Sequence, residues 1–191
     1  MKTRLLAAAL LIAISASAMA EPVTYTIDPT HPQIEFTYSH FGFSNITGRF
    51  DATEGTLTYD PANPSASSIE VTTQIASVST GVVKLDDHLK NADFFDAGAF
   101  PTATFKSTKV APAGEGKLTL SGDLTIHGVT LPTTFDVTVN KVGEHPMQKK
   151  PAAGFDATGS IDRTAFGIDK YAQATGPEVK LAITIEALAD K

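Results

Sequence analysis

The stretch Gly116-Lys-Leu-Thr-Leu-Ser-Gly-Asp-Leu-Thr-Ile126 decides how the rest of the chain is read. Leu118, Leu120, Gly122, Leu124 and Ile126 alternate with Lys117, Thr119, Ser121, Asp123 and Thr125. A period of two sends the first set to one face of a strand and the second to the other, so this strand has an oily side and a wet side. His127-Gly128 follows at once as a tight turn, and beyond it Phe135, Val137 and Val139 alternate with Thr134, Asp136 and Thr138. The unit reads as a hairpin.

The same pattern extends in both directions. Val23, Tyr25 and Ile27 alternate with threonines; so do Ile34, Phe36 and Tyr38 with polar neighbours. Ile69, Val71, Thr73 and Ile75 form another inward set, and Val179, Leu181, Ile183 and Ile185 a last one. Turns are expected at 51–55, 61–64 and 112–116, with a longer polar hairpin loop from Gly143 to Lys150. Only Val82 to Asn91 departs: Val82, Leu85 and Leu89 recur at helical spacing, and the aromatic, turn-rich Phe94-Phe95 to Phe100-Pro101 follows. The sum is an all-β chain of eight to ten strands with one short helix. Wet-faced antiparallel strands need a closed interior, a barrel or a sandwich. Strand length favours the barrel. Glu178 to Ala189, at roughly 3.3 Å per residue, spans about 40 Å. Tilted by about 40°, it gives a barrel about 30 Å tall, and about eight strands leave room for one slender ligand. A two-layer sandwich is the alternative.

The N-terminus carries an export signal. Lys2 and Arg4 precede an apolar run from Leu5 to Ile14, and Ala18-Met19-Ala20 is a signal-peptidase pattern. Cleavage after Ala20 leaves Glu21 first, and residues 21–191 form a single domain. The apolar run is shorter than the about 20 residues a bilayer needs, so no stable membrane anchor is expected. The chain has no cysteine, which removes disulfides and lipid attachment and leaves the fold to its core. Export without cysteine points to a periplasm. Past residue 20 there are 13 Lys and Arg against 21 Asp and Glu, a net charge of −8, which disfavours nucleic acid and anionic surfaces.

Several segments then carry a resemblance. Asp28-x-x-His31 precedes Ile34-Glu35-Phe36; His40-Phe41-Gly42-Phe43-Ser44-Asn45-Ile46-Thr47-Gly48-Arg49-Phe50 follows. Asp87-His88-Leu89-Lys90-Asn91-Ala92-Asp93-Phe94-Phe95-Asp96 leads to Phe100-Pro101-Thr102-Ala103-Thr104-Phe105. Gly122-Asp123-Leu124-Thr125-Ile126-His127-Gly128 and Ile161-Asp162-Arg163-Thr164-Ala165-Phe166-Gly167 complete the series. In that order and spacing they resemble the YceI-like family, from about Tyr25 to about Ala187. The resemblance implies an extended, lipocalin-like antiparallel β-barrel, which is also where the periodicity leads. It implies a periplasmic location and, in some members, a homodimer. The implied ligand is a polyisoprenoid or similar amphiphile, such as a quinone or prenyl phosphate, along the barrel axis. Two positions depart from the family's usual pattern: Pro32 stands in place of Ser, and Leu85 in place of the Arg before Asp86. If that Arg meets a charged head group in relatives, the head group here is neutral.

The expected function is binding, storage or transport of such a lipid, with no catalysis and no cofactor chemistry. Its expected lining is Phe36, Phe105, Leu120, Leu124, Ile126, Phe135, Phe155, Ile161, Leu181 and Ile183. Phe41, Phe43, Arg49, His40, His88, Phe94, Phe95, Arg163 and Phe166 are expected at the mouth or lid. A non-catalytic carbohydrate- or partner-binding module with a filled barrel is a second reading, and the lack of Trp speaks against sugar stacking. A hydrolase using Asp86, Asp87, Asp93 and Asp96 is a third; acidic residues around a short helix more commonly cap and solvate it. The five histidines show no metal-ligand spacing, and His127 reads as a turn residue. Asp162 and Arg163 read as a surface pair, with a head-group contact as the sharper option.

Overall fold

The computed structural model describes residues 21–190. The expected leader, residues 1–20, lies outside the described residues. Eleven strands are formed: β1 (Val23–Ile27), β2 (Gln33–His40), β3 (Ser44–Phe50), β4 (Thr53–Tyr59), β5 (Ser68–Gln74), β6 (Val78–Ser79), β7 (Thr102–Gly114), β8 (Lys117–Ile126), β9 (Val129–Glu144), β10 (Pro151–Asp162) and β11 (Glu178–Ala189). Helix α1 (Val83–Lys90) sits where the helical spacing fell, and a four-residue helix α2 (Ala172–Thr175) was not anticipated. No helix among the described residues is long and apolar enough to cross a membrane.

All pairings are antiparallel, and the sheet closes on itself through β1 and β11. β1 takes residues 187–189 of β11, while β2 takes residues 180–184 of the same edge. β4 then pairs with β1, and β3 with β2; β5 pairs with β4, and β6 with β3. The eleven strands therefore make eight staves, three of them broken once. The result is a closed eight-stranded barrel in which the two-residue β6 pairs only with β3.

The breaks have local causes. Between β1 and β2, Pro29 and Pro32 supply no N–H. There the Asp28 carboxylate accepts the Thr30 backbone N–H at 2.9 Å and its hydroxyl at 2.7 Å, and meets His31 Nδ1 at 3.0 Å. This is the Asp-x-x-His motif, and it pins a turn. Between β3 and β4 the turn is only Asp51-Ala52, shorter than expected. Thr53 already belongs to β4, where it is buried with its hydroxyl 3.2 Å from that of Thr73. The turn expected at 112–116 likewise shrinks to Glu115-Gly116. His127 (φ 52°) and Gly128 (φ 75°) adopt the double left-handed turn that a two-residue hairpin requires.

The β1 end of the barrel is solid. Tyr25, Ile27, Ala153, Ala187 and Ala189 are all buried there, with Ala153 and Ala187 directly paired across β10 and β11. Tyr59 and Phe155 meet edge to face at 5.2 Å and cap this packed plug. The opposite end is covered by a second cluster, in which Leu89 of α1 joins Phe36, Phe50, Ile75 and Val78.

Candidate functional site

Between these two clusters the barrel is hollow. A cavity of about 480 Å³ runs along the axis, from Tyr59 and Phe155 to His40, Phe41 and Tyr171. That volume lies within the roughly 300–1,000 Å³ usual for small-molecule sites. The interior is therefore not filled by its own side chains, which removes the filled-barrel reading. Leu120, Ile161, Leu181 and Ile183 point inward yet are only half-buried, because they face the void.

Aromatic rings normally fill a barrel this narrow, and here they are held against the wall. The Phe36 ring overlies Gly48, its direct cross-strand partner, so closely that a Cβ there would collide with it. A Cβ at Gly122 would lie 2.5 Å from the Phe105 ring, and one at Gly159 2.8 Å from the Phe135 ring. Each ring lies in the space that a neighbouring strand's side chain would take. Three glycines thus turn three phenylalanines aside and keep the axis open.

The ten residues expected as lining (Phe36, Phe105, Leu120, Leu124, Ile126, Phe135, Phe155, Ile161, Leu181 and Ile183) are all brought to this one cavity. So are His40, Phe41, His88, Phe94, Phe95, Arg163 and Phe166 from the expected mouth. Phe43 and Arg49 are not. Phe43 stands in solvent at the β2–β3 turn, 92% exposed. Arg49 lies between inward Gly48 and Phe50, so strand alternation turns it outward, where its Nε meets Asp51 Oδ1 at 2.7 Å. Helix α1 contributes Leu85, His88 and Leu89 to the lining. His88 packs edge-on against Phe94 at 4.8 Å, and its Nδ1 lies 3.2 Å from Asn91 Nδ2.

Arg163 is not half of a surface pair. It is 8% exposed and opens a 3-10 turn, Arg163–Phe166. Its Nε donates to the Gly176 carbonyl (3.2 Å), Nη1 to the carbonyls of Ile168 (3.2 Å) and Lys170 (3.0 Å), and Nη2 to Thr175 Oγ1 (2.8 Å). Burial pushes the guanidinium down from its ordinary value, yet it stays charged at neutral pH. No carboxylate forms an ion pair with it among the described residues. Four of its five N–H groups tie down the 163–176 segment, the remaining Nη2 proton has no partner among the described residues, and the residue lines the cavity. Asp162 instead caps the turn, accepting from the Thr164 hydroxyl at 2.6 Å and its N–H at 2.8 Å. His127 is also more than a turn residue: its Nδ1 lies 3.2 Å from the Phe166 carbonyl and its ring packs on Phe100 at 4.6 Å, which fastens this segment to the β8–β9 turn.

The acidic residues around α1 serve separate partners. Asp86 accepts the Thr80 hydroxyl at 2.6 Å and its N–H at 2.7 Å, with the hydroxyl bond foremost in holding its carboxyl low. Asp87 meets Lys90 at 3.0 Å and Asp93 meets Lys170 at 3.4 Å. These are capping and surface contacts, not a convergent acid–base pair. One cluster escaped the sequence reading, because its members are far apart in the chain: Asp28, His31 and Glu186 each offer a ligand atom within 4.8 Å of the others. It lies on the closed end, where Glu186 also meets His145 Nε2 at 3.1 Å. His145 Nδ1 accepts the Met147 and Gln148 backbone N–H groups at 3.2 and 3.0 Å, while Glu186 Oε1, close to Nε2, is buried without a hydrogen bond among the described residues. The group braces the β1–β2 break.

Residues 25–187 match the YceI-like domain family. A UPF0312 protein of Vibrio cholerae is 37% identical over 185 residues, covering 96% of this chain and 97% of its own. One of Pseudomonas putida is 37% identical over 193 residues, the full length of both. Among solved structures, Burkholderia cenocepacia BcnA superposes with a TM-score of 0.76 at 28% identity over 84% of this chain and 98% of its own. The Campylobacter jejuni YCEI protein gives 0.71 at 31% identity over 78% and 88%. A domain from Saccharophagus degradans described as polyisoprenoid-binding shares the fold, with a TM-score of 0.67 at 16% identity over 87% and 99%.

Proposed function

The chain belongs to the YceI-like family, and from that premise we propose that it is a non-catalytic carrier or reservoir for one long-chain polyisoprenoid or similar amphiphilic lipid, such as a quinone. The observation that carries the reading is the hollow apolar axis kept open by three phenylalanine-over-glycine pairs. The Saccharophagus degradans domain of the same fold, described as polyisoprenoid-binding, is in keeping with it. The tail lies along Leu120, Leu124, Phe135 and Ile183; the head stays at the mouth among His40, His88, Tyr171 and Arg163. Leu85 gives that end an apolar wall, which favours an uncharged head group over a pyrophosphate. Export through the leader at residues 1–20 would place this activity in the periplasm.

Burial energetics make such retention strong. At about 0.8 kcal/mol per buried carbon, a five-carbon prenyl unit contributes about 4 kcal/mol, before the costs of ordering. Titration of delipidated protein with neutral prenyl lipids of increasing chain length tests this. Affinity is expected to rise at least about tenfold per added unit until the cavity is full, then level off. Affinity independent of chain length would refute the tunnel as the binding site. A Leu85→Arg variant is expected to gain affinity for prenyl phosphates; unchanged head-group preference would remove the neutral-head assignment.

A further inference from the structure

We propose that the β2–β3 hairpin tip docks the protein on a bilayer of uncharged, zwitterionic phospholipid, so that ligand passes between membrane and cavity without crossing water. The proposal rests on the lipid-binding reading above and adds the surface through which the ligand arrives.

Three features of the tip converge. The first is its composition. Between Glu35 and Arg49 the chain reads Phe-Thr-Tyr-Ser-His-Phe-Gly-Phe-Ser-Asn-Ile-Thr-Gly, with no Asp, Glu, Lys or Arg, in a protein that is 19% charged. The second is exposure: Phe43 is 92% and Phe41 50% exposed, although β2 and β3 are otherwise well-patterned strands. The third is backbone conformation. Phe41 (φ 54°) and Gly42 (φ 76°) form the two-residue turn, closed by Phe43 N–H donating to the His40 carbonyl at 3.0 Å. That turn favours Asn or Asp at its first position, and a bulky residue there is strained. Folding alone does not ask for phenylalanine at either site.

The tip is continuous with the mouth. His40 and Phe41 line the cavity and pack edge to face at 4.5 Å, and across the opening Tyr171, itself 53% exposed, lines it too. An aromatic rim around the opening of an oily tunnel sits well at a headgroup boundary, where rings bury one edge and the serines and asparagine of the tip meet polar groups. Charge selects the membrane. The chain is net acidic; beside the mouth Lys170 is engaged with Asp93, and Arg163 is buried among backbone carbonyls, so neither cation is presented to draw an anionic surface. A charge-free tip meets a zwitterionic one without repulsion.

The absence of tryptophan makes the test direct. A Phe43→Trp variant carries a single reporter at the tip, outside the cavity. On addition of phosphatidylethanolamine–phosphatidylcholine vesicles, its emission is expected to shift to the blue. A Phe43→Asp variant is expected to take up prenyl lipid from those vesicles about tenfold more slowly or worse, since one buried phenylalanine is worth at least that factor. Its equilibrium binding of detergent-dispersed lipid is expected to match the parent. An unshifted emission together with parental uptake by Phe43→Asp would overturn the proposal. So would a shift that needs phosphatidylglycerol, or one that grows with protein concentration without vesicles, which would assign the tip to a homodimer. If the reporter inserts but no lipid is ever bound, the docking surface stands and the carrier reading falls.

Discussion

Arg163 carries a charge into a wall of hydrocarbon, and its geometry explains how that is tolerated. Carbonyls of Ile168, Lys170 and Gly176 and the Thr175 hydroxyl replace the water it gives up. Removing the fork strands those acceptors, so Arg163→Met is expected to lose about 3 kcal/mol in urea unfolding, with Arg163→Lys recovering little. A loss under about 0.5 kcal/mol would show that the segment is held by other means. Asp28 gives a pH-dependent counterpart. The Thr30 hydroxyl and N–H, then His31, hold its carboxyl below the ordinary value. A depressed carboxylate stabilises the fold above its unfolded value of about 3.9 and loses that stabilisation as pH falls through the folded one. The stability gap between parent and Asp28→Asn is therefore expected to be constant from pH 7 to 5 and to close below about pH 4. A gap that persists there would mean the bonds, not the charge, matter. Sequence alone marked Asp28 and His31 as a motif but not Glu186 and His145, which reach the same corner only after the barrel closes. It placed Arg163 among the mouth residues but also read it as paired with Asp162 at the surface, because a single position after an outgoing strand gives no sign that the chain is about to fold back over it.

At the scale of elements, glycine placement does what propensity cannot. Gly122 continues the apolar face of β8 without a side chain, and its added Cβ would meet both the Lys106 carbonyl and the Phe105 ring. Gly122→Ala is expected to cost about 1–3 kcal/mol, while Gly143→Ala, with open space around it, changes thermal stability little. Equal melting temperatures for the two variants would contradict the wall-packing account. Alternation identified most inward faces correctly, since a one-residue slip would have buried every threonine on the wet side. It was silent on phase changes. Phe105 and Val110 both face inward despite their odd spacing because β7 slips register between Ser107 and Lys109. A bulge of that kind shows in the pairing with β8, not in the strand's own composition. The β3 segment was likewise quoted but not read as a strand: Ile46, Gly48 and Phe50 share its inward face, but Gly48 leaves a gap in that apolar set.

For the whole molecule, closure into eight staves and an open axis are separate achievements. Closure was legible from strand number and length. The void was legible only as a set of inward residues, because the same apolar faces would have formed a packed core had the rings over Gly48, Gly122 and Gly159 turned toward the axis. Of the nine residues expected at the mouth or lid, seven line the cavity, while the hairpin's turn and alternation set Phe43 and Arg49 outside it. A cavity that exists for a ligand is dispensable to the fold. Ile183→Trp, which places a large ring in the void, is expected to fold with an unchanged or higher melting temperature and to bind prenyl lipid at least about a hundredfold more weakly. A variant that fails to fold would indicate that the apparent void is already occupied by neighbouring side chains.

The most direct test of that void is mass spectrometry of the organic extract of protein purified from its own cells without detergent. One isoprenoid or similar single-tailed amphiphile per chain is expected, and it is expected to be missing from the extract of Ile183→Trp. Parent protein whose extract holds no lipid, and whose melting temperature does not rise when prenyl lipids are added, would contradict it.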